Sequence, residues 1–190
     1  MKTLATYLAL SILVAAAMPV AMGQDEPDPA LRELLKAVAS EADSFEDHYA
    51  AQVWLTDMSA RLEHQVEDPK ERLTILQRVH YEATRWELPP ELVLAVIDVE
   101  SNFDRFAISV AGARGLMQIM PFWTAEIGRP EDNLMHIDTN VRYGCTILKY
   151  YLDMENGDLG PALARYNGSR GKRKYPNKVL DKLRLKWFRS

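Results

Sequence analysis

Apolar residues along this chain recur mostly at steps of three and four, the period of one face of a helix. One long, mostly apolar run comes first, over residues 4–17, with Lys2 before it, Pro19 breaking it, and Ala21-Met22-Gly23 offering small residues at the two positions a signal peptidase reads. The run is shorter than the roughly 20 residues that span a bilayer. Residues 1–23 are therefore expected to be a cleavable signal peptide, which leaves no transmembrane span in the mature chain. No cysteine follows the run, which disfavours a lipid anchor.

After an acidic, proline-containing lead over residues 24–29, Leu31, Leu35, Val38, Ala42, Phe45 and Tyr49 keep the helical step. The stripe predicts an amphipathic helix, continued through Val53, Met58 and Leu62 after a small register shift. It must be buried somewhere. Packing on the domain that follows is the expectation; a partner protein of the cell envelope, or a second copy through a short coiled coil, is the alternative. Asp68-Pro69 marks a break, with Pro69 suited to the first turn of a helix that runs through Leu73, Leu76, Val79, Ala83 and Trp86. Leu88-Pro89-Pro90 ends that helix and starts another over residues 90–101. Further helices are expected at 116–127, at 139–155 with Asp138 as N-cap, at 159–166 and near the C-terminus. No alternating strand pattern and no solenoid period is found. The fold class is mainly α, divided into a helical extension (24–68) and a domain over 69–190 that ends in a basic tail.

The net charge of −4 hides an asymmetry. Residues 169–190 carry nine Lys or Arg against one acid, Asp181, whereas residues 24–168 carry thirteen basic and twenty-six acidic residues. The tail is either a polyanion-binding segment or a solvated helix face whose Leu183, Leu185, Trp187 and Phe188 pack elsewhere. Nothing else points to nucleic acid. Cys145 is the only cysteine, so no internal disulfide is available, and a small buried hydrophobe is the expected role. Four scattered histidines give no metal-ligand spacing, and there is no phosphate loop or elbow serine. No cofactor and no metal are implied.

Chemistry enters at LAVIDVESNF, residues 94–103. Side chains three and four apart share a helix face, which puts Glu100 in line with Leu92, Val93, Val96 and Ile97. Apolar surroundings and the negative end of the helix dipole both favour the neutral acid, so its pKa is expected to rise. A carboxyl protonated near neutral pH suits protonation of a leaving oxygen. Asp98, two residues earlier, projects from the opposite side of the helix. The direction of Asp104, just past the helix end, is not fixed by periodicity.

Three separated segments extend this reading: Glu100-Ser101; Ser109 with AGARGLMQIMP at 111–121; and ARYNG at 164–168. Together, in this order, they resemble the signature set of the family 1 lytic transglycosylases, whose catalytic domain is goose-type-lysozyme-like. The resemblance covers about residues 73–180. It implies cleavage, without water, of the β-1,4 bond between N-acetylmuramic acid and N-acetylglucosamine in peptidoglycan, with a 1,6-anhydromuramoyl end as product. Glu100 would act as acid and then as base. By the same comparison Tyr166 is expected to hydrogen-bond the catalytic carboxyl, Ser109 and Gln118 to contact substrate or carboxyl, Asn167 to bind an acetamido or hydroxyl group, and Met120 to form an apolar cleft wall. Met117 is expected in the core. Gly115 and Gly168 are read as close-approach or left-handed positions, or as ordinary turn glycines. The implied partner is the peptidoglycan strand and the implied compartment is the periplasm.

Some positions depart from that pattern. Arg165 stands where a small residue is usual, which predicts a narrower or more basic subsite. Phe122-Trp123 follow Pro121 in place of smaller residues, with Trp123 either on a sugar or in the core. Two rivals remain: a lysozyme that admits water to the same site, and an envelope-assembly scaffold that binds glycan.

Overall fold

The computed structural model describes residues 29–40, 43–45 and 47–188; the expected signal peptide lies outside the described residues. The order is α1 (Pro29–Ser40), α2 (His48–Leu62), α3 (Pro69–Arg85), α4 (Pro90–Glu100), α5 (Trp123–Ile127), α6 (Ile137–Met154), α7 (Leu159–Tyr166) and α8 (Lys174–Lys182), closed by a π-helical turn at Leu183–Trp187. Among the described residues the only β pairing is two isolated bridges, Ile108 to Arg114 and Arg114 to Ile119. The fold is mainly helical, as the periodicity predicts.

Helix α4 is the axis. Leu92 to Asp98 are all buried, so the segment is enclosed on every side, as a helix apolar all round must be. It packs against α3, α8 and the π turn; α3 continues to α6, α6 to α7, and α7 back to α8. Its start is set by Pro90 in the first turn, where a missing N–H costs nothing. Glu91, also in that turn, accepts a hydrogen bond from Trp54 Nε1 at 2.9 Å and so ties α2 to α4.

The N-terminal stripe is buried on α3, although not as one helix. Residues 43–45 and 47 are not helical, and α2 restarts where the Asp47 side chain accepts the Ala50 N–H at 2.8 Å. The restart changes the inward face. Ala51, Leu55, Met58 and Leu62 are buried, whereas Tyr49 and Val53, read as stripe members, are exposed. Ala42 lies outside the described residues. On α3, Arg72 is buried and holds the α2–α3 connection through Ser59 Oγ at 3.2 Å and the Val66 carbonyl at 2.7 Å.

Two further corrections concern local starts. The helix expected at 116–127 is reduced to five residues, α5, because Gly115 and Gln118 both take left-handed φ angles (74° and 49°) and Arg114 pairs with Ile119 across the turn. α6 begins with His136 as N-cap, without a side-chain bond, and Asp138 falls inside its first turn. The α7 limits agree with the expectation, and its cap is Asp158, which accepts the Gly160 N–H at 3.0 Å.

Candidate active site

Glu100 is the last residue of α4, and the chain leaves it at once. Ser101 caps the helix, its Oγ donating to the Leu116 carbonyl at 2.8 Å, and Asn102 and Phe103 follow in left-handed conformations (φ 52° and 67°). Such consecutive angles are costly for non-glycine residues and persist only when the surroundings hold them. Here Phe103 is buried against Trp187, with ring centroids 5.5 Å apart, and Asn102 Oδ1 accepts from Gln65 Nε2 at 2.7 Å.

The carboxyl faces a cleft of about 340 Å³ lined by Val99, Glu100, Asn167, Ser169, Tyr175 and three lysines, Lys172, Lys174 and Lys178. Tyr175 Oη donates to Glu100 Oε1 at 2.7 Å. Burial raises the Glu100 pKa above its ordinary value, while the Tyr175 bond and a smaller contribution from the Asn167 side chain pull it back. Burial also pushes the hydroxyls of Tyr175 and Tyr166 well up, reinforced by the Glu100 charge, so both remain neutral donors. Ser169 Oγ lies out of solvent with no hydrogen-bond partner among the described residues. A buried, unpartnered hydroxyl on a residue that lines the cleft is a candidate for a substrate acceptor.

The tyrosine on the carboxyl is thus Tyr175 rather than Tyr166. Tyr166, in the last turn of α7, reaches instead to the Met117 carbonyl at 2.8 Å. Met117 N–H donates to Asn140 Oδ1 at 2.7 Å, and Asn140 Nδ2 donates to the carbonyls of Arg114 and Leu134, both at 2.8 Å. The 114–119 turn is therefore clamped between α6 and α7. The clamp leaves no room at Gly115, where an added Cβ would lie 2.3 Å from Asn140 Nδ2, or at Gly144, where it would lie 2.1 Å from Met117 Sδ. Gly168 is left-handed with open space around it.

Ser109, Gln118 and Met120 are not among the residues that line the Glu100 cleft. Gln118 Nε2 donates to the carbonyls of Ala107 (3.1 Å) and Gly115 (3.0 Å), and Ser109 Oγ accepts the Ala113 N–H at 3.0 Å, so both brace the same turn. Met120 is half-buried. Met117 and Cys145 are fully buried, and burial raises the Cys145 thiol pKa. Trp123 is half-buried against the core. Arg165 is ion-paired with Glu155 rather than lining the cleft, which removes the expected basic subsite at that position.

The other acids are occupied. Asp98 is buried on the far face of α4, where it meets Lys182 Nζ at 2.7 Å, Lys186 Nζ at 3.0 Å and Trp187 Nε1 at 3.2 Å. Asp104 is exposed and accepts the Phe106 N–H at 2.8 Å. Among the described residues Glu100 is the only carboxyl lining its cleft. The tail, read as a polyanion-binding segment or as a solvated helix face with packed apolar residues, also supplies one wall of the site; of the residues expected to pack, Trp187 is buried and Leu183 half-buried, whereas Leu185 and Phe188 are exposed. The Tyr175, Val179, Leu183 spacing of four carried that signal, and all but half-buried Leu183 are buried.

Comparison with known proteins adds an independent line. Residues 77–186, more than half the chain, match the family model described as the transglycosylase SLT domain. A transglycosylase of Enterobacteria phage PRD1 is 31% identical over 110 residues, covering 54% of this chain and 40% of that protein. Membrane-bound lytic murein transglycosylase C of Actinobacillus pleuropneumoniae serotype 5b (strain L20) is 46% identical over 39 residues, 20% of this chain and 11% of its own. The chain thus spans less than half the length of these relatives. A structure of lytic transglycosylase Slt from Pseudomonas aeruginosa, an inactive mutant, aligns with a TM-score of 0.46 at 23% identity, covering 85% of this chain and 32% of that one.

Proposed function

The chain belongs to the transglycosylase SLT family, and from that premise we propose that it is an exported, periplasmic lytic transglycosylase acting on peptidoglycan strands. The observation that carries the reading is the single, partly desolvated carboxyl of Glu100 in a cleft with no second acid among the described residues. Glycosidases that rely on two carboxylates hold them about 5–9.5 Å apart across the bond. With Asp98 and Asp104 engaged elsewhere, a reaction that draws its nucleophile from the substrate itself fits this site best. Glu100 protonates the glycosidic oxygen as the bond to C1 of N-acetylmuramic acid breaks. The resulting carboxylate then takes the proton of the muramoyl 6-hydroxyl as that oxygen closes on C1, leaving a 1,6-anhydro ring and a free N-acetylglucosamine hydroxyl.

Each neighbour has a part in this scheme. Tyr175 holds Oε1 in one direction and favours the charged form between the two proton transfers. Asn167 and Ser169 bind acetamido or hydroxyl groups. Tyr166, Ser109 and Gln118 support catalysis by fixing the turn beside the acid, and Met120 offers an apolar contact on that turn.

The test is mass spectrometry of products released from purified sacculi, with Glu100→Gln beside the parent. Products lighter by one water than hydrolytic ones, absent with the variant, support the reading. Reducing ends would make the protein a lysozyme-type hydrolase, and no release by folded protein would favour a glycan-binding scaffold.

A further inference from the structure

The lysines of the Glu100 cleft are not accounted for by folding. Lys182 and Lys186 both neutralise buried Asp98. Lys172, Lys174 and Lys178, on the same short segment, are exposed, and no ion pair or hydrogen bond to their ammonium groups occurs among the described residues. Lys174 and Lys178 are four apart on α8, a like-charge spacing that destabilises a helix, and no acid occupies the first turn to offset them. All three lysines line the Glu100 cleft. Lys172 is shared with an adjoining groove between α7 and α8, and Lys178 with a second one beside Asp98 and Val99. Acids enter both adjoining grooves, Asp158 in the first and Asp98 with Asp181 in the second, so the excess of positive charge is confined to the Glu100 cleft, where three lysines face one carboxyl, on a chain whose net charge is −4.

The backbone sugars of the glycan offer no charge for such a rim; the anions nearest the reacting bond are carboxylates carried by the muramoyl lactyl arm. We propose that Lys172, Lys174 and Lys178 form a carboxylate-binding rim that favours glycan with acidic groups on that arm, the stem peptide being their source in intact wall. The inference rests on the activity proposed above and names what the site selects. Ser169, which lines the same cleft and whose buried Oγ has no partner among the described residues, adds a neutral hydroxyl beside the charged groups.

The experiment compares the parent with a Lys172→Gln, Lys174→Gln, Lys178→Gln triple variant on intact sacculi, on sacculi whose carboxyls have been amidated with carbodiimide, and on amidase-stripped strands bearing only the lactyl carboxylate. Amidation should lower the parent's kcat/KM about five- to tenfold, a gap that narrows as salt is raised. The triple variant should start from the lower value on intact sacculi, so that the two enzymes converge on the amidated substrate. Strands cleaved as well after stripping assign the rim to the lactyl carboxylate, and strands that lose the advantage assign it to the peptide; both support the rim. A triple variant that keeps the parent's preference for the charged substrate overturns it while leaving anhydro-product formation, and so the activity, untouched. Two controls separate folding from charge: the matching triple Lys→Arg variant should restore the preference, and co-sedimentation of Glu100→Gln with sacculi should weaken when the three Lys→Gln changes are added. Equal co-sedimentation would also overturn the rim.

Discussion

Asp98 and Glu100 are two carboxyls on one helix, two residues apart, and they face different worlds. Asp98 is buried with Lys182, Lys186 and Trp187 aimed at it; Glu100 looks into a cleft with one tyrosine on one oxygen. The difference lies in what the C-terminal segment presents to each. Two lysines, the Trp187 indole and Gln65 make Asp98 a fixed anchor for the π turn, whereas a neutral tyrosine, a weaker Asn167 contribution and partial burial leave Glu100 able to gain and lose a proton. The same segment, residues 174–187, thus locks one side of α4 and equips the other.

The largest effect that would sharpen this contrast is on turnover. Glu100→Gln should lower the rate of glycan cleavage by about 10³-fold, the scale of lost acid and base catalysis. Its stability should hold or rise slightly at neutral pH. Burial raises the native pKa above the unfolded value, so the native carboxylate costs stability as pH rises past the unfolded pKa, and the amide escapes that cost. Muropeptide release and urea denaturation read the two sides, and a destabilised Glu100→Gln protein would break the distinction.

Asp98→Ala should behave in the opposite way. Removing a fully buried carboxylate takes the acceptor from Lys182 and the Trp187 indole N–H and leaves Lys186 with Gln65, a loss of about 2–3 kcal/mol once the partial exposure of the lysines is allowed for. Urea midpoints at neutral pH measure it. Activity per folded molecule should survive below the transition, and loss of activity in a protein still folded would instead make Asp98 a positioning residue.

Smaller again is the effect of Tyr175→Phe. The hydroxyl favours the carboxylate, so its loss raises the Glu100 pKa further. The reaction starts from the protonated acid, hence the alkaline limb of the kcat/KM profile should move to higher pH while the rate at the optimum falls about tenfold, as expected for one hydrogen bond to a charged group. A profile that keeps its alkaline limb in place would detach Tyr175 from the acid.

How far this contrast was legible depends on the range of the interactions. The opposite directions of Asp98 and Glu100 follow from helical geometry, and the starts of α3 and α4 from Asp68-Pro69 and Pro89-Pro90, all local signals. The partner of Glu100 is 75 residues away on a segment whose charge masked its Tyr175, Val179, Leu183 stripe. The 114–119 turn reads as helix locally, with Leu116 and Met117 in step, because its left-handed Gly115 and Gln118 are held by Asn140 and Tyr166 from other helices. The break between α1 and α2 failed for a different reason: the cap at Asp47 resets the phase, and a stripe read through it assigns Tyr49 and Val53 to the wrong face.

His80 supplies the smallest test and a third kind of environment for a titratable group, burial with no charged partner. Its ring stacks on Phe45 (centroids 3.4 Å apart, 10°), meets Trp54 edge-on at 5.0 Å, and has Ser44 Oγ 2.8 Å from Nδ1, on the face of α3 that receives the N-terminal helices. Burial lowers its pKa from 6.5 to about 4. The unfolded chain therefore takes up a proton near pH 6.5 that the native state refuses until about pH 4, so the stabilisation is complete above pH 6.5 and is lost as pH falls through that window. The loss should be on the order of 1–2 kcal/mol after discounting for the part of the ring that solvent reaches. Other carboxyls titrate nearby, so the diagnostic quantity is the difference between parent and His80→Gln, measured by urea denaturation at pH 7 and pH 4.5. The parent should lose more stability than the variant over that interval. Equal losses would mean that the ring is hydrated in the native state and that the packing of α1 and α2 does not depend on its charge. Cleavage by the folded fraction should be the same in both, because α3 presents His80 to the extension rather than to the cleft that Glu100 occupies.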